Sequence, residues 1–374
     1  MAQRMLFLST KYTGHGHQSI TDSVNKQIAQ LNPEARVDVV ESFDLGGKSG
    51  KYIGRLYGPV THYAKPVWAS SYQTAHRLPG LANNMARRII NKDKLLAIIN
   101  ETKPELIVTV HPAFVGSVIT LLQKQRLDIP VVTLVADLIS INRLWADKRA
   151  LYTICPSEEA KERVIRYGVP AERAKVFGFP VREKFYEIAA PITEEALAEE
   201  TASGKNIIDF LIVSGAEGSG NLVRTAHILL QNFDCRVTII TGRNQKLKSM
   251  LENSLGRNYP QRAVILGFVH NIEEYLMAAD ILITRASPNT LMEAVTCCVP
   301  LIVTDAVPGQ EKENPDFVQK HNLGVICRDL TNLPREIRNL LADNGRRLLE
   351  IRRAQFRFRD LETNQKIARF LLSI

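Results

Sequence analysis

Twelve short β-rich apolar runs alternate with helical patterns along this chain, and no other feature narrows its fold so far. In the first half they are Met5–Leu8, Val37–Val40, Leu106–Val110, Val131–Val135, Tyr152–Cys155 and Lys175–Phe177. In the second half they are Phe210–Val213, Val237–Ile240, Val264–Leu266, Ile281–Thr284, Leu301–Val303 and Gly324–Cys327. Continuous apolar runs of this length suit strands buried on both faces. Helices between them require parallel pairing through crossover connections. The expected fold class is therefore α/β, with parallel sheets built from βαβ units.

A chain of 374 residues is long enough for two such domains, each with its own core. The division is marked by composition. Residues 187–204 are acidic, alanine-rich and poor in β-branched side chains, as a linker and an opening helical cap would be. We expect domains at 1–182 and 183–352, followed by a C-terminal helix over 353–374 that packs back toward the first domain. The helices are punctuated in the usual way. Ile20, Val24, Ile28 and Leu31 form one apolar stripe. Ser157 is placed to cap a helix that Gly168 ends, and Ser287-Pro288 reads as an N-cap followed by proline at the first helical position.

Ligands of open α/β sheets bind beyond the carboxyl ends of the strands, so the loops there are where chemistry is to be sought. Four stand out. After the first strand, Gly14-His15-Gly16-His17 lets the backbone approach a ligand and sets His17 near a helix N-terminus. The helix dipole there disfavours imidazolium, and a neutral ring can take a proton from an attacking hydroxyl. A merely structural histidine fits the same pattern. The run from Ser214 to Gly220 presents backbone N–H groups to phosphate, although it is neither a Walker loop nor G-x-G-x-x-G, and a plain tight turn explains it equally well. Arg285-Ala286-Ser287-Pro288-Asn289-Thr290 opens a helix whose first N–H groups suit a diphosphate. Glu293, under two turns further on, can reach paired ribose hydroxyls or simply be a surface glutamate. Finally, Pro308-Gly309-Gln310-Glu311 with Asn314 sets an amide beside a carboxylate, a pairing that suits the hydroxyls of a hexose and also a charged loop.

Composition excludes several classes. No run reaches the ~18 apolar residues of a transmembrane helix, and the first residues lack a signal-peptide cleavage pattern, so a cytoplasmic location is expected. The five cysteines have no metal-ligand spacing and read as buried free thiols. The net charge of +9 is uneven. Residues 46–94 hold nine basic side chains (Lys48, Lys51, Arg55, Lys65, Arg77, Arg87, Arg88, Lys92, Lys94) against Asp93 alone. Tyr52, Tyr57, Tyr63, Trp68 and Tyr72 are interleaved with them. That mixture suits an anionic bilayer surface, where cations and interfacial aromatics both gain. A solvated helix face and a nucleic-acid surface are the other two readings of it.

Taken together, these motifs resemble the glycosyltransferases that make glycosyldiacylglycerols: the bacterial processive diacylglycerol glucosyltransferases and the monogalactosyldiacylglycerol synthases. The lipid-linked peptidoglycan N-acetylglucosaminyltransferase is similar at greater distance. The resemblance runs from residue 4 to about residue 350. It is carried by Tyr12 through His17, Ala136-Asp137 with Trp145, Gly178-Phe179-Pro180-Val181-Arg182, Gly215 to Gly220, Gly267-Phe268-Val269 and, most specifically, Pro308 through Asn314. It implies two facing Rossmann-like domains of the GT-B type with a cleft between them. It further implies that Gly267, Phe268 and Val269 lie beside uracil. Gly215, Glu217 and Gly218 and the helix start at Ser287, with Arg285, Asn289 and Thr290, meet the diphosphate, and Gly16 also belongs to the donor site. Glu293 holds the ribose, and Gln310 and Glu311, with Asn314 beside them, hold the sugar. His17 and Asp137 face the acceptor, as base and orienting group or the reverse. No metal and no cofactor is expected, since helix ends and backbone donors meet the diphosphate. Ser287-Pro288-Asn289 stands where relatives carry glycines.

The expected activity is an inverting transfer of glucose or galactose from UDP-glucose or UDP-galactose to diacylglycerol or a glycosyldiacylglycerol. The expected place is the inner face of the cell membrane, reached through residues 46–94 and with no nucleic-acid partner. A UDP-sugar 2-epimerase, or a transferase acting on another lipid or soluble acceptor, is the alternative.

Overall fold

The computed structural model describes residues 3–13, 15–202, 207–213 and 221–374. It forms two compact units. The first comprises Met1–Arg182, Val307–Lys312 and Glu362–Ile374; the second comprises Glu183–Ala306 and Glu313–Leu361.

In the first unit six parallel strands run as β1 (Arg4–Ser9), β2 (Arg36–Glu41), β3 (Leu106–Thr109), β4 (Val131–Leu134), β5 (Tyr152–Cys155) and β6 (Ala174–Val176). Their order across the sheet is β2-β1-β3-β4-β5-β6. The sheet therefore grows one way from β1 to β2 and the other way from β3 onward. Met5, Leu6, Phe7 and Leu8 are all buried, as a strand covered on both faces demands. Ile20, Val24 and Ile28 press the helix Gly16–Leu31 onto the sheet, while Leu31, at its end, is exposed. Ser157 caps the helix Glu158–Arg166 by accepting from Ala160 N at 3.1 Å, and Gly168 follows it with φ 103°.

The C-terminal helix Thr363–Leu372 belongs to this unit. Asn364 Nδ2 donates to Val181 O at 2.8 Å. Gly178 has φ 96°, and a Cβ there would lie 2.5 Å from Thr363 Oγ1, so both conformation and space call for glycine.

The second unit holds β7 (Ile208–Val213), β8 (Cys235–Ile240), β9 (Ala263–Leu266), β10 (Ile281–Arg285), β11 (Leu301–Asp305) and β12 (Gly324–Ile326). The order β12-β11-β10-β7-β8-β9 is the doubly wound arrangement, with its switch between β7 and β10. The acidic stretch after residue 182 folds as helices Glu183–Ala189 and Glu194–Ala202 within this unit. Glu194 pairs with Arg353 and Arg357, and Arg359 donates to the carbonyls of Ala189, Ile192 and Thr296. These contacts keep the chain in the second unit as far as Leu361. The long helix Leu333–Phe358 is interrupted at 342–345, where Asp343, Asn344 and Gly345 adopt φ of 51°, 54° and 72°. All five cysteines are buried and unbridged. Among the described residues no helix is long and apolar enough to cross a membrane.

Candidate active site

In the first unit the sheet order decides which loops meet. β1 and β3 are neighbours, so the loops beyond their carboxyl ends adjoin at the switch point. Gly16 opens the helix after β1 and His17 stands in its first turn. The helix is tied to its strand by Thr21 Oγ1 donating to Ser9 Oγ at 2.7 Å, with both residues buried. His111 follows β3 and is the N-cap of the helix Pro112–Lys124. Its Nδ1 accepts from Ala113 N at 3.3 Å, which places the ring proton on Nε2. The two imidazoles lie 5.0 Å apart between centroids, and Trp145 lies 6.3 Å from His17.

Both rings are neutral for a physical reason. Burial pushes His17 down to about 4, against a smaller opposing pull from the Val110 backbone. Desolvation lowers His111 well below the ordinary histidine value, and the neighbouring His17 lowers it further. His17 itself is half-buried, with Nδ1 enclosed and without a hydrogen-bond partner.

Asp137, just past β4, is also half-buried. Its hydrogen-bond partner is Trp145, whose Nε1 donates to Oδ2 at 2.6 Å. Desolvation pushes its carboxyl up to about 7; the Trp145 N–H works against this rise and the charge of Glu311 adds to it. A histidine, a tryptophan and a carboxyl group that titrates near neutrality thus form one cluster.

The Pro308–Asn314 motif is divided. Its Val307–Lys312 part lies in the first unit and Asn314 in the second. Glu311 is 1% exposed, and its Oε2 accepts from Val307 N at 2.8 Å, so it braces its own turn. Gln310 Nε2 donates to Tyr57 Oη at 2.5 Å. Asn314, fully buried, donates from Nδ2 to Ala286 O at 2.9 Å and supports the turn after β10.

That turn lies at the switch point of the second sheet. Arg285 ends β10, and Ala286 N donates to Asp305 O at 2.7 Å. Ser287 occupies the N-cap of the helix Pro288–Thr296, but its side chain makes no capping bond. The first-turn N–H groups are thus left uncapped by that hydroxyl and, with Asn289 and Thr290 half-buried beside them, form a donor-rich end suited to an anion. Glu293 is buried on this helix. Beyond β9, Gly267 leads to Phe268, which is 48% exposed and has the Arg243 guanidinium 5.1 Å above its ring; Val269 follows. Gly215, Glu217 and Gly218 lie outside the described residues.

A family model for monogalactosyldiacylglycerol synthase matches residues 17–181, and one for the glycosyltransferase family 28 C-terminal domain matches residues 211–364. Monogalactosyldiacylglycerol synthase 3 of Arabidopsis thaliana is 30% identical over 304 residues, covering 78% of this chain and 61% of the relative. The chain belongs to the glycosyldiacylglycerol-forming glycosyltransferases. It spans about three fifths of the length of such plant relatives. MurG of Acinetobacter baumannii shares the fold, with a TM-score of 0.62 at 13% identity and all of both chains covered. Each unit is thus Rossmann-like, as in the GT-B fold. A UDP-GlcNAc 2-epimerase from Neisseria meningitidis has the same fold, with a TM-score of 0.61 at 13% identity and full coverage of both chains, so fold alone does not select between these chemistries.

Two features of this protein were not read from sequence. His111 repeats the strand-end, helix-start placement of His17 and carries proline at the next position, so its signal was present. The aromatic residues of 46–94 also divide into two sets. Tyr52 and Tyr63 are 65% and 83% exposed, whereas Tyr57, Trp68 and Tyr72 are half-buried, with Trp68 packed against both tyrosines. Three of the five expected membrane aromatics therefore face inward.

Proposed function

We propose that this protein is an inverting glycosyltransferase that moves a hexose from UDP-glucose or UDP-galactose to the free hydroxyl of diacylglycerol or of a glycosyldiacylglycerol. The observation that carries the reading is the neutral His17 beside His111 at the β1/β3 switch point, within the half matched by the monogalactosyldiacylglycerol synthase model. His17 takes the acceptor proton as the hydroxyl oxygen bonds to the anomeric carbon. The bond from that carbon to the diphosphate oxygen breaks, and its electron pair leaves with uridine diphosphate. Arg285 and the first-turn N–H groups of the helix Pro288–Thr296 stabilise that charge, with no metal required. Glu293 takes the ribose, Phe268 the base, and Gln310 the sugar end, on a turn that the buried Glu311 braces. The exposed basic and apolar side chains of residues 46–94 support work at the membrane surface, which we place on its cytoplasmic face.

The test is a screen of UDP-glucose and UDP-galactose against diacylglycerol vesicles, with products read by mass. Glycosyldiacylglycerol is the expected product. An epimerised donor in the absence of vesicles would overturn the reading.

The cluster also sets a pH dependence. His17 alone would lose function only near pH 4, where its ring protonates. Asp137 takes up its proton near pH 7, and an ionised carboxylate is what favours a cationic ring in the transition state. The acid limb of kcat is therefore expected near pH 7. In Trp145→Phe the carboxylate loses the N–H that stabilises its charge, so the limb moves to higher pH. A limb near 4 in the wild type, unmoved in the variant, would remove Asp137 from the mechanism.

A further inference from the structure

The inward aromatic residues of the basic stretch seat the Gly309-Gln310 turn. Tyr57 Oη accepts from Gln310 Nε2 at 2.5 Å. The Tyr57 ring meets Trp68 edge-on at 5.1 Å, and Trp68 lies 6.3 Å from Tyr72. Tyr72 is anchored at both ends: Oη donates to Ser140 O at 2.6 Å, and its carbonyl accepts from Asn142 Nδ2 at 3.3 Å. Gly309 rests on that ring with φ 92°, and a Cβ there would come within 2.7 Å of it. The turn is therefore held in depth by Tyr72 and in rotation by Tyr57.

The rotation matters for chemistry. A glutamine amide has a donor end and an acceptor end, and turning it over exchanges them. With Nε2 committed to a phenol oxygen, the end left for another partner is the carbonyl Oε1, which accepts from a hydroxyl.

We infer that Tyr57 is a positioning residue for the donor sugar: it orients Gln310 so that Oε1 accepts from a sugar hydroxyl, with Tyr72 setting the depth of the turn. The inference rests on the proposed contact between Gln310 and the sugar. Tyr57 touches no reacting atom itself.

The test compares the full chain with Tyr57→Phe, Gln310→Ala and the double variant, titrating UDP-glucose, UDP-galactose and UDP by calorimetry. Tyr57→Phe keeps the ring and its packing on Trp68. It is expected to weaken the bound UDP-sugar by about three- to tenfold, the worth of one neutral hydrogen bond, and to leave UDP within about twofold. A merely structural role would weaken UDP and UDP-sugar together. Gln310→Ala is expected to weaken the sugar at least as much, and the double variant no more than Gln310→Ala alone, because the phenol acts through the amide. Full sugar affinity in Tyr57→Phe with a loss in Gln310→Ala would overturn the inference and leave the sugar contact standing. Unchanged sugar affinity in Gln310→Ala would overturn the contact and the inference with it, as would a failure of the wild type to bind any of the three.

Discussion

Replacing His17 with alanine is expected to lower kcat by roughly 10²–10⁴-fold while UDP-sugar affinity stays within about threefold. The ring is built for the task by three separate features: its place in the first turn of a helix, its burial, and the neighbouring His111, which is itself kept neutral. The same features make it a weak base in the resting enzyme, since a ring titrating at about 4 accepts a proton reluctantly at neutral pH. What offsets this is charge that matters only as the proton arrives. Asp137, ionised above about pH 7 and joined to Trp145 beside the ring, favours imidazolium in the transition state and less so in the ground state. His17→Gln, which keeps bulk and polarity, should be as inactive as the alanine variant. Single-turnover measurements at saturating donor read the chemical step directly, and near-normal rates in either variant would sink the assignment.

The elements of the fold were legible because continuous apolar runs leave little choice of secondary structure. All twelve strands stand where the runs are, with ends differing by a few residues. Adjacency was not legible. Nothing in the local pattern of residues 4–9 and 106–109 says that these strands pair, yet that pairing alone brings His111 to His17. The aromatic residues of 46–94 failed for a related reason. Composition counts side chains without assigning them to helix faces, and helices Gly47–Tyr63 and Lys65–Arg77 expose Tyr52 and Tyr63 while enclosing Tyr57 and Trp68. The Gln310-Glu311 pair read as two equivalent hydroxyl binders, but a carboxylate needs donors when buried. Glu311 finds one in Val307 N, whereas Gln310 turns to a phenol.

Changing Lys48, Arg77, Arg88 and Lys92 together to glutamine is expected to weaken binding to anionic vesicles by about 10³-fold, from roughly 1 kcal/mol for each cation near the headgroups. All four side chains are exposed. Lys48, Arg77 and Arg88 share helices with an exposed apolar set, Tyr63, Val67, Leu81 and Met85, which a bilayer interface would cover, and Lys92 opens the next helix. The two contributions separate by salt. The electrostatic part is screened over about 8 Å at physiological ionic strength and fades as salt rises, whereas the apolar part does not. Wild-type sedimentation with anionic vesicles should therefore fall with added salt to a floor, and Leu81→Asp with Met85→Asp should lower that floor. Equal binding to neutral and anionic vesicles, or full binding by the fourfold variant, would assign the basic residues to solvent alone. Because the substituted side chains are exposed, whereas Tyr57, Trp68 and Tyr72 pack inward on one another, none of these outer substitutions should alter UDP-sugar affinity in the absence of vesicles.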